Sequence, residues 1–392
     1  MISLKLENYL YLFLLISIFL KIKIYPFIMV GFIFLMIINF PNMKKIKKEC
    51  ILIILLLVFS IGNYIVLSKE FNNFQYILKL TINFGFLLSF LIIKKRYDIK
   101  KIMILIKILI VLTFIQILIV YYLKNINLFY FFKINNSSEA YLIDIDQVPF
   151  LFAAENKNIW STKILFLEII FMFYSYKNNL KNYFFYIFII FNCLLLTSRT
   201  GYLALLLYIV LQVFSIIVKK YRKNKRMLIS VFLGLFFTLL FNINLIFEKF
   251  LRIDFNNLEK YLSMKNDGGV SRIINWIIFF KYFNKTNFLN GIGIGNTQKF
   301  LLYYGGYPDG NMHNFIFNTF LEQGIIIGMI YILFHFLFIK KVIKVFKWDS
   351  LLLLTPFYAI ISLQYLGYDN DIVVYMSLVY ILIDEFKEGE KC

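Results

Sequence analysis

Hydrophobic runs dominate this chain, and their lengths indicate how it folds. A helix needs about 17–25 apolar residues to cross the roughly 30 Å hydrocarbon core of a bilayer. Twelve runs are candidates for such helices, and they lie at residues 4–20, 24–40, 50–67, 74–93, 102–122, 159–176, 183–198, 201–218, 227–247, 314–338, 350–366 and 372–384. The pattern predicts an all-α integral membrane protein with about 12 transmembrane helices, forming a single polytopic membrane domain over residues 1–392.

The composition excludes a soluble globular protein. Of the 392 residues, 61% are hydrophobic and 16% are charged, whereas soluble domains average about 45–50% and about 25%. A folded sphere of this size could not remove so much apolar surface from water. The same hydrophobicity excludes a disordered chain, because disorder requires few apolar residues.

The charge is strongly basic, with 42 Lys and Arg against 22 Asp and Glu. This excess indicates either a nucleic-acid surface or positive charge sorted to one side of a membrane. The basic clusters lie at residues 44–48, 94–101, 219–226 and 340–341, and twelve crossings place them all on one side, together with both termini. The positive-inside rule makes that side cytoplasmic. The sequence therefore predicts cytoplasmic termini and no nucleic-acid partner.

Two of the predicted outer loops are long, at about residues 123–158 and 248–313, the second between helices nine and ten. Long ordered loops are often functional. The first contains Asp144 and Asp146, and a short outer loop contains Asp369-Asn370-Asp371. Carboxylate oxygens of this kind bind hard cations. Neighbouring Asp residues are common in solvated loops, however, and no metal site is predicted.

Three arginines lie outside the basic clusters, and two of them, Arg199 and Arg272, are candidates for binding an anion; the third is Arg252. Arg199 lies at the outer end of a helix, directly after Ser198. It is either an interfacial residue that extends towards water or a bidentate ligand for phosphate oxygens, and the sequence favours neither. Arg272 begins an apolar stretch in the second long loop. That stretch predicts an interfacial helix, whose N-terminus would help to receive an anion.

The chain has only two histidines. His335 lies near the predicted cytoplasmic end of helix ten and is interpreted as structural, whereas His313 lies at the outer mouth of that helix, beside Asn311 and Asn314. This position makes His313 a candidate functional residue. Glu322 lies nine residues further on, about half a turn round a straight helix and therefore out of reach of His313. It is an intramembrane acid and a candidate for a role in the site or in packing.

Glycines mark two further positions. Gly291, Gly293 and Gly295 alternate along the second long loop, but their spacing matches neither the dinucleotide fingerprint nor the P-loop, and a tight backbone turn is predicted. His313 precedes Gly324 by eleven residues, so the two would lie on the same face of a straight helix. Gly324 and Gly328 form a small-xxx-small pair, which predicts the close approach of a neighbouring helix.

These elements together resemble the O-antigen polymerase and O-antigen ligase superfamily of bacterial surface polysaccharide assembly. Arg199 followed by Leu203 matches an Arg-x3-Leu element at the outer end of a helix. His313 followed by Gly324 matches a His-x10-Gly element at the mouth of a later helix. A long outer loop with Arg272 and the alternating glycines separates them. The resemblance covers about residues 198–328.

The resemblance implies a glycosyltransferase at the outer face of the bacterial cytoplasmic (inner) membrane. Its reaction would be a metal-independent, inverting transfer that needs no cofactor. The donor would be an oligosaccharide linked to undecaprenyl diphosphate. The acceptor would be a second lipid-linked repeat unit for a polymerase, or lipid A–core for a ligase. Membrane lipids and a chain-length regulator are the other partners it suggests.

The implied chemistry agrees with the residue types in the outer loops. Arg199 and Arg272 would bind the diphosphate leaving group as its charge develops. His313 would act as the general base that takes the proton of the acceptor hydroxyl. The remaining candidates for substrate binding are Asn311, Asn314 and Ser198.

Several functions remain open at this stage. The Arg-x3-Leu and His-x10-Gly elements resemble ligases, although polymerases share this region. The alternating glycines after Arg272 resemble polymerases more, and a polymerase is the favoured interpretation. A flippase for the same lipid-linked sugar is the main alternative outside enzymes, since twelve helices are common in transporters. Transporters usually have repeated halves and broken helices at the midplane, however, and this sequence shows neither. A structural scaffold would not require the arginines and the histidine at the outer face.

Overall fold

The computed structural model describes residues 2–20, 22–39, 47–67, 73–93, 97–129, 157–221, 268–286, 288–307 and 312–389. Every long element within these ranges is a helix, as the hydrophobic runs predict. The helices are α1 (Ile2–Ser17), α2 (Tyr25–Asn39), α3 (Lys48–Leu67), α4 (Phe74–Ile93), α5 (Ile99–Leu123), α6 (Lys157–Lys177), α7 (Tyr183–Leu196), α8 (Arg199–Tyr221), α9 (Gly268–Tyr282), α10 (Thr297–Tyr303), α11 (Phe315–Phe346), α12 (Ser350–Gln364) and α13 (Asn370–Gly389). Single 3-10 turns follow α9 and α11.

The apolar helices confirm the all-α membrane fold. Six helical stretches in the described ranges are long and apolar enough to cross a bilayer: Lys48–Leu67, Phe74–Ile93, Ile99–Leu123, Asn158–Lys177, Arg199–Lys219 and Phe315–Gln364. Three shorter apolar helices lie at Leu6–Ser17, Tyr25–Ile38 and Tyr183–Leu196. The predicted ninth span, 227–247, and most of the first long loop lie outside the described residues. The number twelve therefore stays a prediction.

The chain divides into two compact units. Unit 1 consists of Met1–Leu105, Ser271–Val345 and Ile361–Cys392, and unit 2 consists of Ile106–Val270 and Phe346–Ile360. Arg272, His313 and Glu322 belong to unit 1, whereas Ser198 and Arg199 belong to unit 2.

Helix α4 forms the centre of unit 1, where it packs against α2, α3 and α13. Its buried side is apolar and aromatic, and the Phe84 ring meets those of Tyr331 and Phe334 edge to face. Asn83, buried in the same helix, donates a 2.7 Å hydrogen bond to the carbonyl of Tyr368. This bond fixes the turn between α12 and α13, which contributes to the site described below.

In unit 2, α6 packs against α7 and α8. Buried polar groups in this unit are neutralised in pairs and clusters, because an isolated charge in an apolar interior is costly. Asn192 donates to the carboxylate of Glu168 over 3.0 Å. The carboxylate of Asp349 accepts hydrogen bonds from Lys177, Lys219 and Ser215 at 3.1, 3.0 and 2.7 Å.

Candidate active site

Helix α11 is broken at Gly324. Its φ of 76° and ψ of −177° are not helical, and this region of backbone space is essentially restricted to glycine. A Cβ at this position would lie 2.1 Å from the carbonyl oxygen of Leu289. The prediction that a straight helix stacks Gly324 beneath His313 is therefore wrong. Helix α3 contacts the preceding residue, since Asn63 donates a 3.4 Å hydrogen bond to the carbonyl of Gln323, but the atoms nearest to Gly324 belong to another segment. The close neighbour is the backbone of a loop.

That loop, residues 288–296, is called the glycine loop here. Gly291, Gly293 and Gly295 have φ values of 72°, 87° and 82°, which confirms the predicted tight turn. Backbone hydrogen bonds join the loop to the broken helix: Ile292 N to Leu321 O and Gly293 N to Glu322 O, both 2.9 Å, and Ile325 N to Phe288 O, 3.0 Å. The loop thus satisfies backbone groups that the break removes from the helix.

Glu322 locks the glycine loop in place from inside the protein. Its side chain is 1% exposed. One carboxylate oxygen accepts hydrogen bonds from the backbone N–H of Gly295 (3.1 Å) and the hydroxyl of Thr297 (2.9 Å), and the other accepts from the hydroxyl of Tyr368 (3.1 Å). Burial raises the pKa of Tyr368 well above its usual range, so its hydroxyl keeps the proton that it donates. Two other segments, the end of the glycine loop with the start of α10 and the turn between α12 and α13, thus meet at this one carboxylate of α11.

Replacing Glu322 with leucine is expected to destabilise the protein by several kcal/mol. The change leaves the donors of Gly295 and Tyr368 buried without this acceptor, at about 1–3 kcal/mol each, and leaves the hydroxyl of Thr297 with only a 3.4 Å contact to Asn318. Thermal denaturation of the purified protein in detergent measures the effect. Tyr368→Phe is the matched control, because it removes only one of the three bonds and should cost much less. Equal stability of Glu322→Leu and the wild type would show that the carboxylate does not organise these segments.

Arg272 lies in the second turn of α9 and is half-buried. Its guanidinium Nη2 donates a 3.1 Å hydrogen bond to the side-chain oxygen of Gln364, the last residue of α12. The helix predicted after Arg272 is thus present, although it begins at Gly268 rather than at the arginine. This contact directs Arg272 towards the end of α12.

His313 lies two residues before the start of α11 and is half-buried. Its φ of 49° is in the left-handed region. The indole N–H of Trp276 donates a 2.7 Å hydrogen bond to the carbonyl of Met312, which joins α9 to the residue before His313. Trp276 lies one helical turn after Arg272 and therefore on the same face of α9. The structure thus brings Arg272 and His313 into the same region of unit 1.

Asn314 makes a second connection between these elements. Its side-chain oxygen accepts hydrogen bonds from the backbone N–H groups of Ile316 and Phe317 at 3.0 and 3.1 Å, which caps the N-terminus of α11. Its amide donates to the carbonyl of Ser362 over 3.3 Å, two residues before the partner of Arg272. Asn314 thus holds the mouth of α11 against the end of α12. Its predicted contact with substrate stays a prediction.

The remaining predicted site residues are Arg199, Ser198 and Asn311, and fewer of their contacts are described. Arg199 is the first residue of α8 and is half-buried, and Thr197 before it has a φ of 52°. The fully buried Ser198 accepts a 3.4 Å hydrogen bond from the N–H of Gly201 and so caps this helix. Asn311 lies outside the described residues. The diphosphate and substrate roles of these residues stay predictions.

The acidic motifs considered for a metal fall into two groups. Asp144 and Asp146 lie outside the described residues. Asp369 pairs with Lys79 and accepts a 2.7 Å hydrogen bond from the N–H of Leu366, and Asp371 accepts one from Asn370. Among the residues that the structure describes, no three His, Cys, Asp or Glu side chains are grouped so that they could hold a metal ion.

Sequence reasoning missed the partners of the site residues. Thr297, Tyr368 and Trp276 each form a hydrogen bond that joins segments remote in sequence. A buried acid must find donors, so Glu322 signals that such partners exist. Nothing in the local pattern indicates which residues they are.

The apolar helices, the broken helix and the docked glycine loop define a multi-pass helical membrane protein with a polar centre at Glu322 inside unit 1. Residues 184–333 match the family described as O-Antigen ligase. This match confirms the resemblance to the O-antigen polymerase and ligase superfamily, and it includes Arg199, Arg272 and His313. It supports a glycosyltransferase-like enzyme and gives no support to the flippase alternative. A comparison with the curated proteins found no match.

Proposed function

We propose that the protein polymerises oligosaccharide repeat units of O-antigen or capsule that are linked to undecaprenyl diphosphate. The reaction would take place at the outer face of the bacterial cytoplasmic membrane, with both termini of the chain in the cytoplasm. The observation that carries this proposal is that Arg272 and Asn314, the neighbour of His313, both donate hydrogen bonds to the end of α12, to Gln364 and Ser362. These contacts support a site in which a cation suited to phosphate acts together with a base suited to a hydroxyl.

In the proposed reaction, the acceptor hydroxyl oxygen attacks C1 of the donor sugar from the side opposite the diphosphate. A new C1–O bond forms while the C1–O bond to the diphosphate breaks, so the configuration at C1 inverts. His313 takes the proton of the acceptor hydroxyl. Arg272 binds the diphosphate oxygens as they gain negative charge. Arg199, in its Arg-x3-Leu motif, is the second candidate for that role.

Two features of the site region fit this reaction. The hydrogen bond from Arg272 to Gln364 holds the guanidinium in place before a substrate arrives, which reduces the entropy lost on binding. The backbone of His313 is left-handed and lies outside α11, which begins only at Phe315. Asn311, Asn314 and Ser198 would contact sugar hydroxyls. A chain-length regulator is a further proposed partner.

A ligase is the second candidate function, because the matching family is described as O-Antigen ligase. In that case the same residues would transfer the completed glycan to lipid A–core. The alternating glycines after Arg272 favour the polymerase. The two reactions share the donor and differ only in the acceptor, so the roles of Arg272 and His313 are the same in both.

Gene deletion followed by gel electrophoresis of the surface polysaccharide tests the proposal. Loss of a polymerase leaves a single repeat unit attached, whereas loss of a ligase leaves none attached and lipid-linked polymer accumulates. The wild-type gene on a plasmid must restore the original pattern. Repeat units trapped on the inner leaflet would instead indicate a flippase and would overturn the proposal. A strict requirement of the purified enzyme for Mg²⁺ or Mn²⁺ would contradict the metal-independent mechanism.

Arg272→Ala is expected to reduce polymer formation by about 10²–10³-fold, the usual effect of removing one group that stabilises developing negative charge. Arg272→Lys should retain part of the activity, because it keeps the charge but loses the bidentate geometry. The measurement is the rate at which purified protein elongates lipid-linked repeat units in EDTA. Arg96→Ala, in a cluster predicted on the cytoplasmic side, is the control and should be fully active. Full activity of Arg272→Ala would exclude Arg272 as a diphosphate ligand.

A further inference from the structure

A polar cavity, separate from the candidate active site, lies within unit 1 and has a volume of about 240 Å³. Its wall contains three lysines, Lys47, Lys341 and Lys387, and one acidic residue, Asp384. Lys47 directly precedes α3, Lys341 lies on α11, and Asp384 and Lys387 lie on the last turns of α13. The cavity is called the lysine pocket here.

The lysine pocket is far from the candidate active site. Asn73, just before α4, donates a 3.0 Å hydrogen bond to Asn296 of the glycine loop, whereas Leu91, near the other end of α4, lines the pocket. Eighteen residues separate these two positions, which corresponds to about 27 Å along a helix. The segment from Tyr368 to Lys387 along α13 spans a similar length. The pocket therefore belongs to the opposite ends of the same helices.

Hydrogen bonds hold two of the pocket's ammonium groups in position. Lys47 Nζ donates to the carbonyl oxygen of Leu91 over 2.9 Å. Lys341 Nζ donates to the carboxylate of Glu49 over 3.0 Å and lies 4.5 Å from the centre of the Tyr380 ring. An ammonium group has three N–H donors, and the bond to Glu49 uses one of those of Lys341.

Positive charge exceeds negative charge in the wall of the pocket, which contains three lysines and one aspartate. Asp384 is acidic and lines the wall, and Glu49 is paired with Lys341. In the described ranges, Glu7 acts on Tyr97, and charges of both signs flank the wall residues in sequence (Lys48, Lys340, Glu385 and Glu388), so the excess of positive charge rests on the wall residues themselves. Such an excess favours an anionic ligand.

Tyr97 adds a neutral donor to the wall. Its ring stacks on that of Phe90, with 5.1 Å between ring centres. Its hydroxyl oxygen is buried and has no hydrogen-bond partner within the described ranges. Burial raises the pKa of Tyr97 well above its usual range, with further increases from Tyr11 and Glu7, so the group keeps its proton and can donate it. A buried donor of this kind requires an acceptor.

We propose that the lysine pocket binds a phosphate group, such as the phosphodiester of an anionic phospholipid headgroup. Phosphate oxygens accept hydrogen bonds from ammonium and hydroxyl groups, and the pocket presents both. Its position at the helix ends that carry the basic clusters corresponds to the predicted cytoplasmic leaflet, which is rich in anionic lipid. Phe90 and Leu91 in the wall provide apolar surface for the part of the lipid nearest the headgroup. The proposal does not depend on the reaction at the outer face.

Thermal denaturation of the full-length protein in neutral detergent tests this site. Phosphatidylglycerol should raise the melting temperature of the wild type, whereas phosphatidylcholine should not. The double substitution Lys47→Gln and Lys387→Gln should remove at least half of the shift. Lys344→Gln is the matched control, because Lys344 is exposed on α11 one turn from Lys341 and does not line the pocket. It should keep the full shift.

Two further measurements distinguish lipid phosphate from soluble phosphate and provide a second variant in case the first does not fold. Inorganic phosphate alone at millimolar concentration should give no shift if the ligand is a lipid headgroup, and an equal shift would identify soluble phosphate as the source. If the double variant does not accumulate, Tyr97→Phe takes its place as the test variant. It keeps the ring and its stacking but removes the hydroxyl, and it should reduce the shift. The proposal fails if both forms of phosphate leave the melting temperature unchanged. It also fails if phosphatidylcholine acts equally, or if Lys344→Gln loses as much of the shift as the double variant.

Discussion

Replacement of Gly324 by alanine is expected to prevent the protein from accumulating in a folded form. The backbone angles at this position cost a residue with a Cβ about 1–3 kcal/mol. The added methyl group would also lie 2.1 Å from the carbonyl oxygen of Leu289, which is backbone and cannot rotate away. The glycine loop would have to leave the broken helix, which sacrifices its hydrogen bonds to Leu321 and Glu322. These losses are large against a typical total stability of about 5–15 kcal/mol.

Gly62→Ala in α3 provides the matched control. No atom lies within 4 Å of the position that a Cβ would occupy at Gly62. Because alanine is favoured over glycine inside a helix, this variant should be as stable as the wild type or more stable by about 0.5–1 kcal/mol. Membrane levels and thermal denaturation in detergent measure both variants. A Gly324→Ala protein that accumulates and melts like the wild type would show that α11 is not broken at this position.

His313→Asn is expected to abolish most polymer formation while leaving the fold intact. Asparagine tolerates the left-handed backbone at this position, which has a φ of 49°. It cannot accept a proton at neutral pH, so the rate should fall by about 10²–10⁴-fold, the usual contribution of a general base. The rate of elongation of purified lipid-linked repeat units measures the effect, together with the melting temperature. The melting temperature should change little.

The other histidine is the natural comparison. His335 is buried and packs against the ring of Tyr331, with 4.6 Å between ring centres. His335→Gln should therefore lower the melting temperature through lost packing, while each folded molecule keeps its rate. The two substitutions thus have opposite profiles in stability and activity. An unchanged rate in His313→Asn would remove His313 from the proposed mechanism.

Helix positions could be predicted because the membrane imposes a length and a composition on each span. The predicted run at 74–93 corresponds to α4, Phe74–Ile93, and the run at 50–67 lies within α3, Lys48–Leu67. The turn at the alternating glycines was also predictable, since these residues tolerate positive φ. The two arginines and His313 were recognisable by their rarity and by their position at predicted helix ends. These are local signals.

The break at Gly324 was not predictable, because its cause is remote. A glycine among apolar residues is equally consistent with close helix packing and with a non-helical turn. The backbone at Leu289, more than thirty residues earlier, decides between them. Glu322 shows the same limit, since its hydrogen-bond partners come from two other segments. Asn314 was interpreted as a sugar ligand, yet its described contacts cap α11 and reach α12, and the sequence gives both roles the same appearance.

The hydrogen bond from Trp276 to the carbonyl of Met312 also makes one indole a natural fluorescent probe. The chain has three tryptophans. Trp160 is fully buried and Trp348 is 75% exposed, so neither is held in the same way as Trp276. With phenylalanine at positions 160 and 348, emission would arise from Trp276 alone. Its wavelength and intensity would then report, without a label, any ligand binding that alters the surroundings of Met312, the residue before His313.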